Sequence, residues 1–290
     1  MRDWFFQHEP ALRLGTFLGI LAVMALWEIV AARRSLSQPR RVRWWANLGL
    51  AVVDSFVVRL IFPAAAVGIA LVAEQKGWGL LHQVEISYWL ALVGSFFLLD
   101  LAIYLQHVMF HAVPLLWRFH MVHHADQDFD FTTGIRFHPI EILLSVVIKF
   151  TVIVALGPPP EAVFLFAVVL NATAMFNHGN VRMPVRLDRV LRWLVVTPDM
   201  HRVHHSVVVR ESNSNFGFNL PWWDRLFGTY RDQPAAGHTS MELGVDQLLT
   251  DKPRGLGGVL ALPFTGRTGP YPISSRRGTT TESDDPEAPR

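Results

Sequence analysis

The 290-residue chain is 51% hydrophobic and 17% charged, with a mean hydropathy of +0.27, a balance too apolar for an ordinary soluble domain or for a disordered one. The formal charge is only +2, and 23 of the 26 cations are arginine, clustered as suits anionic lipid headgroups rather than nucleic acid. With no cysteine, a disulfide framework, a thiolate zinc site and a cysteine nucleophile are excluded, so any metal chemistry must use His, Asp or Glu.

Residues 14–32 form the first apolar run, broken only by Thr16 and Glu28 and long enough to cross a hydrocarbon layer of roughly 30 Å. Its length and the preceding Asp3 and Glu9 favour a retained span over a cleaved signal peptide. Residues 47–73 are a second stretch, in which Asp54, Arg59 and Pro63 predict polar contacts and a kink at membrane depth. Residues 86–110 are a third. Residues 140–156 and 162–176 are joined by Gly157-Pro158-Pro159-Pro160-Glu161, which cannot continue a helix, and read as a tight hairpin that crosses or dips into the bilayer. From 185 to 196, Leu187, Val190, Leu191, Leu194 and Val195 oppose Arg186, Asp188, Arg189 and Arg192, the pattern of an interfacial helix or of an amphipathic core helix. Beyond about 275 the composition is that of a disordered tail.

The thirteen histidines are far from evenly spread. His107 and His111 are an i, i+4 pair on one helix face at the end of the third span. His120-x2-His123-His124 places three imidazoles on one face, and the pattern recurs as His201-x2-His204-His205. Two such matches arise by chance on the order of once in a thousand chains of this histidine content. His178 completes nine nitrogen donors, and His138 is a tenth candidate that serves equally as a supporting hydrogen-bond donor. His8, His82 and His238 fall outside the constellation and read as solvated. Nine or ten imidazoles are too many for one ion and suit two; iron, with its higher coordination number, fits better than zinc. The chain has neither the HExxH of a zinc protease nor the paired Glu-x-x-His of a soluble carboxylate di-iron bundle.

Asp100-x3-Tyr104-x2-His107-x3-His111, then Trp117-Arg118-Phe119-His120-x2-His123-His124, then Thr197-Pro198-Asp199-Met200-His201-Arg202-x-His204-His205-Ser206 resemble the three histidine boxes of the membrane fatty acid hydroxylase and sterol desaturase superfamily. Asn215-Phe216-Gly217 and Trp223-Asp224-Arg225-Leu226-Phe227-Gly228-Thr229 resemble the segment after the third box, so the likeness covers about residues 86–232. It implies a histidine-ligated di-iron centre, O2 as co-substrate, and electrons from a separate carrier such as a ferredoxin, a cytochrome b5-like protein or a reductase. It also implies hydroxylation or desaturation of a lipid C–H bond, on a fatty acyl chain, a sterol-like molecule or another isoprenoid.

The expectation is therefore an all-α integral membrane protein of roughly four or five spans with a cytosolic helical cap. Residues 1–85 supply N-terminal spans, 86–232 the catalytic domain and 233–290 an extension. Asp100, Tyr104, Glu141, Asn180 and Asp199 are the expected supporting groups, and Asp224 reads better as a cap or salt-bridge partner. Arg33, Arg34, Arg40, Arg41 and Arg43 put the loop after the first span on the cytoplasmic side. The rival class is a non-redox membrane metalloprotein, either a zinc-dependent hydrolase or a metal carrier.

Overall fold

The computed structural model describes residues 2–249, 255–265 and 268–274, so the tail expected after 275 lies outside the described residues. Among the described residues, twelve α-helices are joined by loops and short 3-10 turns, extended pairing is limited to the isolated bridges Ala32–Val181 and Ser206–Leu243, and five segments are long and apolar enough to cross a membrane.

The first helix, α1 (Arg2–Val30), begins twelve residues before the apolar run does. The polar residues that shortened the expectation are accommodated: Glu9 and Arg13 pair one turn apart at 3.5 Å, and Arg2 reaches Glu74 and Glu161 at 2.7 Å. Phe5 packs edge-on against Phe164. At its other end, the α1 residue Glu28 accepts from the backbone N–H groups of Phe131 and Asn180. One end of α1 thus marks a far layer, and the other touches the histidine-bearing loops.

The second apolar stretch is broken rather than kinked. Helix α2 (Arg40–Ile61) starts at the histidine layer, where Arg43 bonds Asp126 and Asp130, and stops before Pro63. After the link 62–65, α3 (Ala66–Lys76) carries the chain to the far layer. Proline removes a backbone donor and clashes with the preceding turn, which ends a helix when neighbouring elements occupy the space on both sides of the break. Phe62 meets Phe150 there at 5.5 Å.

Helix α4 (Tyr88–Ala112) starts and ends within two residues of the expected third span and is capped by Ser87, which accepts from Leu90 N–H. Ala91, Ser95, Leu99, Tyr104, His107 and His111 make one buried stripe, while Trp89, Leu90, Val93 and Leu105 on other faces are exposed. An apolar exposed face opposite a polar buried one is the pattern of a helix solvated by lipid.

After α5 (Pro114–His124), helices α6 (Pro139–Leu156) and α7 (Pro160–Asn177) turn sharply at Gly157, whose φ of +67° and closeness to the Trp78 carbonyl exclude a side chain. The expected tight hairpin is nevertheless splayed. Helices α3 and α4 each touch both α6 and α7, which pack little on one another, and α7 becomes the central helix, also contacting α1. The gap between α6 and α7 is where the cavities described below lie.

Helix α8 (Val185–Leu191) ends five residues earlier than expected, at a turn where Arg192 is drawn into ion pairs with Asp188 and Asp232. Val185, Leu187, Val190 and Leu194 are exposed, which removes the core-helix alternative and leaves an apolar face turned outward, the pattern of an interfacial helix. Helices α9 (Pro198–His204), α10 (Val209–Ser212) and α11 (Trp222–Leu226) complete the cap, and α12 (Gly255–Thr265) packs on α2 and α5. Tyr271 stacks on Trp117 at 5.3 Å, so the C-terminal extension closes over the same layer.

Candidate metal centre

Nine histidines converge in this layer, all at most 5% exposed. They fall into two groups whose ligand atoms lie within 4.8 Å of one another: His107, His111, His120, His124 and His204, then His123, His178, His201 and His205. The groups abut, with the His124 and His205 rings stacked at 4.5 Å. Sequence spacing placed each HxxHH triplet on one face; the structure divides each triplet between the two groups. Helix α5 gives its i and i+4 residues to the five-histidine group and its i+3 residue to the other. At α9 the sense is reversed: His201 and His205 join the four-histidine group and His204 the five.

Six of the nine rings are aimed from behind. The Nδ1–H groups of His107, His204 and His178 donate to the carbonyls of Phe216, Ser214 and Ala174 at 2.7–2.8 Å. His123 donates to the Arg136 carbonyl at 3.2 Å, and His111 is 3.2 Å from Asn213 Oδ1. His120 Nδ1 donates to Glu141 Oε1 at 2.6 Å, the carboxylate–imidazole pairing that fixes a tautomer and strengthens a metal ligand. A protonated Nδ1 leaves the Nε2 lone pair pointing inward. The Nε2 atoms of His107, His120 and His204 are buried without any partner, and those of His123 and His178 face each other at 3.1 Å. Two lone pairs at that distance repel unless a cation lies between them. Adjacent nitrogens around one ion, each about 2.0–2.1 Å from it, are separated by about 3 Å, so the donor set fits a metal in each group.

Burial, reinforced by neighbouring imidazoles, holds His123, His124, His201, His204 and His205 well below the ordinary histidine range, and burial pushes His120 and His178 down to about 3. All are neutral donors at physiological pH, the form a metal requires.

The other expected residues divide. His138 joins neither group: it is the N-cap of α6, its Nδ1 accepting from Ile140 N–H and its Nε2 donating to the Leu260 carbonyl. Glu141 touches a candidate ligand directly. Asp100 and Tyr104, on the face of α4 that carries His107, instead hold the segment after the third box: Asp100 accepts from Trp223 Nε1 at 2.8 Å, and Tyr104 OH lies 2.9 Å from Thr229 Oγ1. Asn180 clasps the backbone of Arg34. Asp199 pairs with Arg33 and Arg202, which outweigh the effect of burial and keep it below the usual carboxylate range. His238, read as solvated, is only 8% exposed and sits 3.9 Å from Asp199, whereas His8 and His82 are exposed. Asp224 accepts from the N–H groups of Phe216 and Gly217 and from Thr229 Oγ1, and so fixes the carbonyl that orients His107. Burial raises it to about 6 against those bonds.

Sequence reasoning missed Asn213 and the buried cluster of Arg43, Asp126, Asp130 and Arg136. The polar run Glu211-Ser212-Asn213-Ser214-Asn215, between the third box and the apolar residues after it, was the available signal for Asn213.

The profile of the fatty acid hydroxylase family matches residues 92–229, which contain all nine histidines. Over these residues the chain carries a fatty acid hydroxylase domain. It is 28% identical over 267 residues to an ornithine lipid hydroxylase of Rhizobium tropici, covering 86% of this chain and 74% of that protein. An alkylglycerol monooxygenase of Xenopus tropicalis is 26% identical over 72% of this chain and 45% of its own length. A cholesterol 25-hydroxylase of Mus musculus is 30% identical over 47% of this chain and 45% of its own. The chain thus spans about three quarters of the first relative and under half of the other two. No solved structure matches. A fatty acid hydroxylase of this family is an oxidoreductase, and the expected class holds for this chain.

Proposed function

We propose that the protein hydroxylates an unactivated C–H bond of a membrane lipid, using O2 and two iron ions held by His107, His111, His120, His124 and His204 in one site and His123, His178, His201 and His205 in the other. The observation that carries this reading is a cavity of about 170 Å3 between α4, α6 and α7. Ile103, Phe110, Phe137 and Ile142 wall it, and His107 and His120 close its inner end. A largely apolar slot ending on ligand residues, with Gln106, Glu141, Ser145, Lys149 and Asn171 as its polar lining, suits a hydrocarbon segment.

Iron bound here would supply the activation of O2 that hydrogen abstraction from such a bond needs. The chain's own contribution is separable from that chemistry. The aromatic and aliphatic walls align the substrate and exclude water. Glu141 orients His120 by accepting from its Nδ1. The electrons come from a separate carrier protein. Desaturation shares the hydrogen-abstraction step, and relatives with hydroxylase and monooxygenase names favour oxygen insertion.

Metal analysis of gently purified protein is expected to give two ions per chain, chiefly iron. Stoichiometric zinc, with no iron and no activity after iron reconstitution, would sink the oxidase reading in favour of a hydrolase.

The histidine layer belongs on the cytoplasmic face, where reduced carriers can reach it. Arg34 and Arg43 are tied into bonds within the protein, so the sidedness rests on Arg41, Arg182, Arg186 and Arg189, all exposed at this layer. The cysteine-free chain makes a direct test, with single cysteines at the exposed positions Ser35, Gln83 and Ser240. In intact cells an impermeant thiol reagent should label the Gln83→Cys variant alone. Labelling of Ser240→Cys from outside would reverse the topology.

A further inference from the structure

Three cations sit inside membrane-spanning segments where a bilayer tolerates charge poorly: Arg13 on α1, Arg59 on α2 and Lys149 on α6. They come from distant parts of the sequence yet line one cavity of about 550 Å3, together with Ser55 and Asn171 and with no acidic residue. Arg13 is partly matched by Glu9 at 3.5 Å and lies close enough to repel Lys149. Arg59 and Lys149 have no hydrogen-bond or ion-pair partner among the described residues. Two cations without a counter-ion at this depth, beside a third only partly matched, are costly, and an anionic guest removes the cost.

The break between α2 and α3 opens beside the same place. Ala66, the first residue of α3, lines this cavity and a neighbouring one of about 310 Å3, and α3 has no side-chain cap. Its first N–H groups lack helical partners and carry the positive end of the helix dipole, so they add to the field of the three cations. Lys149, Leu170 and Asn171 also line the slot that ends on His107 and His120, which joins the cationic cavity to the histidine centre. Eight residues of α6 separate Lys149 from Glu141, about 12 Å at about 1.5 Å per residue.

We infer that this cavity binds the anionic end group of a lipid, a carboxylate or a phosphate, while the attached hydrocarbon passes along α6 to the metal centre. The oxidised carbon is then selected by its distance from the anionic end. The identification of the guest as substrate rests on the lipid-oxidation reading; the binding itself does not.

The test uses the full chain in nanodiscs of neutral lipid, with displacement of radiolabelled hexadecanoate by three probes of equal chain length: hexadecanoate, hexadecyl phosphate and hexadecanol. Wild type is expected to bind at least one anion about tenfold or more tightly than the alcohol, and the ranking of the two anions distinguishes a fatty carboxylate from a phosphate source. Arg59→Met and Lys149→Met should bring the anion down to the alcohol's affinity while metal content and alcohol binding stay unchanged, and Lys149→Arg should retain the preference. Equal affinity for all three probes in wild type overturns the inference, as does a preference that survives in the folded double variant. Because no turnover is needed, anion selectivity in a protein that oxidises no lipid would defeat the proposed function and leave this site standing.

Discussion

Alanine at His204 is expected to abolish product formation, a loss of roughly a hundredfold or more, since even residues behind a metal ligand cost 10–100-fold when removed. His204 supplies one of five nitrogens to its group and is aimed by the Ser214 carbonyl. Its immediate neighbour His205 serves the other group, so a deletion at 204 leaves a vacancy that no adjacent imidazole fills. The chain should still insert, because the spanning helices do not depend on the α9 loop for their apolar faces. His82→Ala, at an exposed turn in the far layer, is the control and should keep full activity. Lipid product measured in membranes, alongside metal content of the purified variant, decides it. Near-normal turnover by His204→Ala would show that the ligand set is wrong.

Gly134→Ala is expected to damage the same centre without touching a ligand. A Cβ on Gly134 would lie 2.3 Å from the Ala174 carbonyl oxygen and 3.1 Å from His178 Nδ1. The carbonyl is backbone in the last turn of the central helix and itself receives the His178 Nδ1–H at 2.7 Å, so neither partner can yield cheaply. Overpacking of this kind costs about 1–3 kcal/mol, and here it also tilts a ring of the four-histidine group. A lower melting temperature together with loss of metal is the expected pair of readouts. Gly94→Ala, in helix α4 with nothing within 4 Å of the added carbon, should be neutral or gain up to about 1 kcal/mol from the helix preference for alanine over glycine. Unchanged metal content in Gly134→Ala would mean that the Ala174 carbonyl does not position His178.

The spans and eight of the nine histidines could be read from residue order because both are local patterns, an apolar run of fixed length and imidazoles repeated at one helical turn; His178 stands alone and entered only as the donor that completed the set. What escaped the reading was set by contacts between distant segments. The carbonyls of Phe216, Ser214, Ala174 and Arg136, which hold four of the rings, belong to backbone atoms that every residue type carries. Pro63 announced an interruption, but whether the helix bends or stops depended on α6 standing beside it. Gly157 and its prolines announced the turn, but not that α3 and α4 would hold α6 and α7 apart. His138 was legible in hindsight, since a polar residue directly before Pro139 at the first helical position is a capping arrangement. Asp100 and Tyr104 share the buried face of α4 with His107, which makes them look like ligand neighbours; they brace the cap segment instead.

The crossed division of the two HxxHH triplets has a thermodynamic consequence. Helices α5 and α9 each carry nitrogens for both histidine groups, so filling one group would already order the helices that the second needs. The ordering cost is therefore met once, at the first binding event, and the second ion binds a prepared site. Loading should be positively cooperative, with the apo and doubly loaded forms dominating a titration and the singly loaded form scarce. Native mass spectrometry across an iron titration would count the three species. The same linkage means that a ligand lost from one group weakens the other, so single-histidine variants should shed more than one equivalent of metal.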